Sequence, residues 1–120
     1  MYYKTAKEMA MNNGDALFHL AALLWRKNKL IRIGINSKRH RPEFIRHYSK
    51  SPPSCMGAHA EMDAMLSAEP GDTLYVIRWL KSGQIAMAKP CKYCQQRIKR
   101  LKLKVFYTNE KGEWERLALP

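Results

Sequence analysis

Apolar and polar positions change period several times along the chain. Residues 2–12 place Tyr3, Ala6, Met9 and Ala10 on one side of a helix, and Asn13-Gly14-Asp15 breaks that pattern. Residues 16–36 support two readings. The run Ala16 to Trp25 is rich in Ala and Leu, which favours helix. The polar turn Lys27-Asn28-Lys29, followed by β-branched Leu30 to Ile35, fits a β-hairpin equally well. Periodicity alone does not choose between them. Residues 37–54 are polar, basic and punctuated by proline, so they read as a long loop, and loops of that length in small domains are more often functional than idle. Gly57 to Ala68 predicts a helix ended by Pro70-Gly71-Asp72. A strand follows at 73–80, then a turn at 81–84 and a returning strand at 85–88. A basic helix at 91–101, a strand at 103–107 and a last strand at 113–119 complete the chain. Helices interleaved with strands predict a layered α/β fold. About five residues separate the last two strands, too few for a parallel crossover, so they are expected to form an antiparallel hairpin.

Composition narrows the class. The chain has 120 residues, 46% of them hydrophobic and 27% charged, as expected of one folded domain over 1–120 with a core of its own. The longest apolar run, Ala16 to Trp25, is too short to span a bilayer, and no signal-peptide pattern is visible. Three cysteines, two of them three positions apart, argue against a secreted disulfide framework and for an intracellular, cytoplasmic chain with metal ligands. Twenty-two Lys and Arg against ten Asp and Glu give a net charge of +12, which suits phosphate-bearing partners without separating mononucleotides from polynucleotides.

Two short motifs carry the chemistry. Cys91 and Cys94, in Pro90-Cys91-Lys92-Tyr93-Cys94, stand at i and i+3, on one face of a helix's first turn, where thiolates are favoured. His59, in His59-Ala60-Glu61, supplies an imidazole. Two thiolates and one imidazole fill three of zinc's four tetrahedral positions and leave the fourth for water. Glu61, two residues from His59, is placed to take that water's proton and return it to a leaving group. H-x-E or C-x-x-C alone is common. Their combination, with a strand region between, is specific.

On these residues the sequence resembles the cytidine deaminase-like superfamily, whose signature joins H-x-E to P-C-x-x-C. The similarity runs over about residues 2–119, with strong motifs at 57–66 and 73–94. It implies a three-layer α/β/α fold around a mixed sheet of about five strands. It also implies strands at 17–26 and 30–35, against helix propensity. His59, Cys91 and Cys94 become zinc ligands by this resemblance, and Glu61 the proton shuttle. Asn36, at the end of the second strand, becomes a sugar contact, with the backbones of Ala60 and Cys91 beside the substrate. Pro90, Lys89 and Trp79 complete the candidate substrate contacts. Two features depart from the family pattern: an insertion at Leu80 to Lys89, which predicts an extra hairpin, and Lys89 where Glu or Ser usually precedes Pro-Cys. His as first ligand is the style of deoxycytidylate and tRNA deaminases, whereas a C-terminal hairpin belongs to a branch with free-nucleoside, toxin and RNA-editing enzymes.

The resemblance implies zinc-dependent hydrolytic deamination of cytosine to uracil, in a free nucleotide or nucleoside of the dCMP or cytidine type. The alternative substrate is C (or A) in single-stranded DNA or RNA. For that, Lys38, Arg39, Arg41, Arg46 and Tyr48 of the basic loop are the candidate strand contacts, combining cations with aromatic surface. A further alternative is a non-catalytic, zinc-stabilised nucleic-acid-binding domain, which would have no need of Glu61. Cys55, His40 and His47 read as a free thiol and solvated loop histidines. Trp114 reads as core-edge packing or a stacking surface. The resemblance also implies a homo-oligomer.

Overall fold

In the computed structural model, residues 2–14, 19–36 and 59–118 are described. The ambiguous stretch is a hairpin: β1 (His19–Arg26) pairs antiparallel with β2 (Lys29–Ile35). Burial explains why Ala and Leu accept the strand. Ala21 and Leu23 pack on one face of the sheet and Ala22 and Leu24 on the other, all at 0% exposure. A strand covered on both faces reads as a continuous apolar run, which propensity mistakes for helix. At the turn Lys27 takes a φ of 58°, the left-handed backbone that tight hairpins use.

The sheet has six strands, the extra hairpin predicted for the insertion adding a short one to the about five that the resemblance implies. Its order is β2-β1-β3-β5-β6, with β3 at Thr73–Trp79, β5 at Lys104–Thr108 and β6 at Trp114–Arg116. The two-residue β4 (Ile85–Ala86) pairs with β3 as the extra hairpin. β3 and β5 are parallel, and β5 and β6 form the C-terminal antiparallel hairpin. β6 is three residues long rather than seven.

Helix α1 (Tyr2–Met11) covers one face. Its buried stripe is narrower than the pattern suggested: Ala6 and Ala10 are at 0% exposure, whereas Tyr3 and Met9 are at 40% and 42%. Two alanines bring the helix close to Ala21, Leu23, Ile77 and Trp79. Helices α2 (Ala60–Met65) and α3 (Lys92–Arg100) pack on the other face, over Ala22, Leu24, Leu74, Val76 and Val105. The sequence extends α2 to residue 68. The structure ends its α-helical part at 65 and tightens residues 66–68 into i→i−3 bonds, Leu66 N–H to Asp63 O, Ser67 N–H to Ala64 O and Ala68 N–H to Met65 O. Residues 57 and 58 lie outside the described residues. Among the described residues, no helix is long and apolar enough to cross a membrane.

Three devices hold α2 in place. Gly34 of β2 touches its backbone: a Cβ there would sit 2.3 Å from the Ala60 carbonyl oxygen and 2.4 Å from the Ala64 nitrogen. Asp63 then clamps helix to strand, accepting from Arg32 Nη2 at 2.8 Å and from the Ile35 N–H at 3.1 Å. Below the helix, Arg26 donates to both oxygens of Asp72, at 3.0 and 2.9 Å, and to the Ser67 carbonyl at 3.1 Å.

Two stability predictions follow from these contacts. Gly34→Ala inserts a methyl between two backbones that cannot both yield, so the denaturation midpoint should fall by the equivalent of about 3 kcal/mol. Burial pushes the Asp72 carboxyl up, but the Arg26 hydrogen bond and the Glu69 N–H outweigh it and hold it below the usual range. A lowered folded-state pKa stabilises above the unfolded value of about 3.9 and is lost as pH falls through the folded value. Asp72→Asn should therefore cost stability at neutral pH, and its gap to wild type should close below about pH 4 in pH-dependent melts.

Candidate metal and proton-transfer site

The starts of α2 and α3 meet above the sheet. His59 is the residue that caps α2, with extended backbone (φ −89°, ψ 147°), and Cys91 caps α3 in the same way (φ −71°, ψ 166°). Each carbonyl then accepts the first helical hydrogen bond, from Asp63 N–H at 3.0 Å and Gln95 N–H at 2.9 Å. Cys94 stands one turn into α3 at 0% exposure. His59 Nδ1 lies 3.3 Å from Cys91 Sγ and 3.4 Å from Cys94 Sγ, and the three donor atoms fall within 4.8 Å of one another.

This set fits a tetrahedral, thiophilic ion. Metal–nitrogen and metal–sulfur bonds of about 2.0 and 2.3 Å at the tetrahedral angle put the two donors about 3.5 Å apart. The observed separations already match, so a metal would require little rearrangement. One imidazole nitrogen faces both sulfurs, which identifies Nδ1 as the donor. The Cys91 thiol is pushed down to about 4, first by its hydrogen bond with Cys94 and then, against the effect of burial, by His59. Thiolate is the form that ligates metal.

Glu61 is on the first turn of α2 and only 4% exposed. Burial pushes its carboxyl up to about 6, while His59 and a hydrogen bond with Cys94 pull the other way. An acid poised there can both take and give a proton near neutral pH. Thus His59, Cys91, Cys94 and Glu61 are brought together, although they come from two helices and residues 62–90 lie between the two motifs.

The other candidate residues are distributed around this centre. Ala60 sits between ligand and carboxylate at 1% exposure, its carbonyl backed by Gly34. Pro90 is buried, and its carbonyl accepts from Gln95 Nε2 at 2.7 Å. Lys89 is exposed beside Pro90 and close enough to Glu115 to help lower its carboxyl, after Asn109 and Tyr107. Asn36 ends β2 two residues past Gly34, 8% exposed. Its Oδ1 accepts from Leu20 N–H and Asn13 Nδ2, both at 2.8 Å, tying the hairpin to the end of α1. Trp79 is a correction: at 3% exposure it packs with Ala6 and Ala10 under α1, on the face opposite the metal ligands. Strand alternation decides this, because residues 74 and 76 face α2 and α3 while 75, 77 and 79 face α1. Lys38, Arg39, Arg41, Arg46 and Tyr48, with His40, His47 and Cys55, lie outside the described residues.

Three positioning residues escaped sequence reasoning. Asp63 fixes α2 to β2, and Gln95 closes the turn that carries Pro90 and Cys91. Thr108, 1% exposed, donates to the Ala86 carbonyl at 2.8 Å and, through its own carbonyl, receives the Ala88 N–H, which aims residues 86–90 at α3. An Asp, a Gln and a strand-ending Thr carry no pattern that would reveal these roles.

No family model matches the chain, and no curated protein matches it. Among solved structures it is similar to the dCMP deaminase from the cyanophage S-TIM5. In complex with dCMP and dUMP, that enzyme aligns at a TM-score of 0.61 and 20% identity, over 91% of this chain and 79% of that one. Its apo form aligns at 0.58 and 22% identity, over 91% and 80%. The chain therefore shares the mixed α/β fold of that dCMP deaminase, and its own His-Cys-Cys cluster stands where two helices start.

Proposed function

We propose that the protein is a zinc-dependent hydrolytic deaminase that converts cytosine to uracil in a free nucleotide or nucleoside of the dCMP type. The observation that carries this reading is a buried carboxyl two residues from a His-Cys-Cys donor set, on the fold of a dCMP deaminase. A purely structural metal site has no use for Glu61.

His59 Nδ1, Cys91 Sγ and Cys94 Sγ would hold the ion. When bound, zinc supplies a water acidic enough to act as a nucleophile at neutral pH. Glu61 would take a proton from water as the water oxygen adds to C4 of the base, and pass it to N3. It would then carry the proton of the new C4 hydroxyl to the exocyclic nitrogen. The C4–N bond breaks, ammonia leaves and a carbonyl forms at C4. Pro90 and the Ala60 backbone border the base, and Asn36 is the proposed contact to the sugar. Lys89, exposed just before Pro90, is the proposed contact to a substrate phosphate. A second substrate class is C or A within single-stranded DNA or RNA, for which the cations and aromatic ring of Lys38, Arg39, Arg41, Arg46 and Tyr48 are the proposed strand contacts.

Elemental analysis should find one zinc per chain in the wild type, and Cys94→Ser should lose most of it. Glu61→Gln should keep the zinc while turnover of dCMP falls by about 10²–10⁴-fold. A Glu61→Gln protein with wild-type turnover would remove this carboxylate from the mechanism. The substrate class is read by giving the zinc-loaded protein dCMP, cytidine and C- or A-containing oligonucleotides in parallel, with products weighed by mass spectrometry. Conversion of dCMP or cytidine is the expected result. Conversion of oligonucleotides alone would shift the reading to the polynucleotide class. Zinc binding with no conversion of any of them would favour a non-catalytic domain.

A further inference from the structure

Among the described residues, the sheet face that carries α1 is only half covered by a helix. α1 packs over β1 and the near side of β3 through Ala6 and Ala10, and the β5–β6 side has no helix above it among the described residues. Four aromatic rings lie there in mutual contact. Tyr75 stacks on Phe106 with centroids 5.3 Å apart and planes 17° apart. Trp114 meets Tyr75 edge-on at 5.3 Å, and Tyr3 flanks Trp114 at 6.0 Å. Trp114 and Tyr3 remain 42% and 40% exposed. A large indole and a phenol left in water beside a stacked pair form an apolar patch of the kind that marks an interaction site.

Cations flank the patch. Strand register places Lys104 beside Phe106 on β5, and Arg116 opposite Phe106 on β6, on the same face as the rings. Both are exposed. Glu115 falls on the opposite parity and is engaged by Tyr107 and Asn109. Beside the rings opens a cavity of about 280 Å³ lined by Tyr3, Trp25, Lys27, Asn28, Thr73 and Tyr75. Three rings, one cation and one amide make a socket for a flat heterocycle with an anionic group attached.

We propose that this face is a docking strip for single-stranded nucleic acid, with bases stacking on Trp114 and Tyr3 and phosphates held by Lys27, Lys104 and Arg116. Aromatic platforms interleaved with cations are how sequence-tolerant single-strand binding is built. A second copy of this chain is the poorer occupant. Across a two-fold axis it would set Lys27, Lys104 and Arg116 against the same cations, on a protein that already carries +12. The strip lies on the sheet face away from His59, Cys91 and Cys94, so it anchors a strand without presenting a base to the reactive centre. The inference stands apart from the deaminase reading, because binding here requires neither zinc nor turnover.

The test is fluorescence anisotropy of the full chain with labelled 15-residue oligothymidylate and oligouridylate, repeated over a range of salt. Trp114→Ala and Tyr3→Ala should each weaken binding about tenfold, and Trp114→Phe should restore most of it. Lys104→Gln with Arg116→Gln, both on the surface, should flatten the salt slope by about 1.4 even if an aromatic variant fails to fold. dCMP turnover should be unchanged in all of them. Unchanged affinity and salt slope across these variants would overturn the proposal. So would loss of binding confined to Arg39→Glu and Arg41→Glu, which would give the strand to the basic loop. Loss of self-association by sedimentation, with oligonucleotide binding intact, would assign the strip to a second copy and overturn it equally.

Discussion

The close approach of α2 to β2 at Gly34 is the constraint on which the rest of the site depends. A six-residue helix has no stability of its own. It exists here because its backbone lies directly on a strand without a side chain between them. Asp63 joins the two elements through the Ile35 N–H and Arg32, so the helix can neither slide nor rotate. His59 and Glu61, at its start, inherit that rigidity. A carboxylate and an imidazole carried on a mobile loop would lack it.

The second half of the centre depends on the sheet edge. The parallel pairing of β3 with β5 requires a crossover, and α3 supplies it. The insertion between β3 and α3 does not disturb the ligands because its return segment is pinned to β5. Thr108 binds the Ala86 carbonyl and the Ala88 N–H, and Gln95 binds the Pro90 carbonyl. Cys91 and Cys94 therefore arrive at the His59 ring from a fixed direction. Burial has an electrostatic consequence as well: the same low-dielectric pocket that raises the Glu61 carboxyl contains a thiol lowered by its neighbours. A raised carboxyl suits proton transfer, and a lowered thiol suits metal ligation.

The two faces of the sheet divide the chemistry. One face holds the polar centre between α2 and α3. The other carries α1 on two alanines and leaves Tyr3, Tyr75, Phe106 and Trp114 grouped beside surface cations. Trp79 illustrates how sharply alternation divides them. One residue either way along β3 would have turned that ring toward the ligands instead of under α1.

Local sequence determined a good deal here. His59, Glu61, Cys91 and Cys94 were legible because ligand chemistry demands particular residue types at particular spacings, and such demands survive whatever the fold does elsewhere. The C-terminal hairpin was legible because five residues cannot make a parallel crossover. The segment 19–26 was not, since Ala and Leu prefer helix and only burial on both faces makes them strand. Nor was the short extent of α2, the burial of Trp79, or the roles of Asp63, Gln95 and Thr108. The roles of Asp63 and Thr108 depend on partners 28 and 22 positions away, whereas Gln95 binds five positions back, within its own turn. The sequence by itself determined which residues stand at the spacings of metal ligands and a proton shuttle. Only the tertiary structure decided that they meet, because their separation is set by contacts between β2, α2, β5 and α3 that no local pattern encodes.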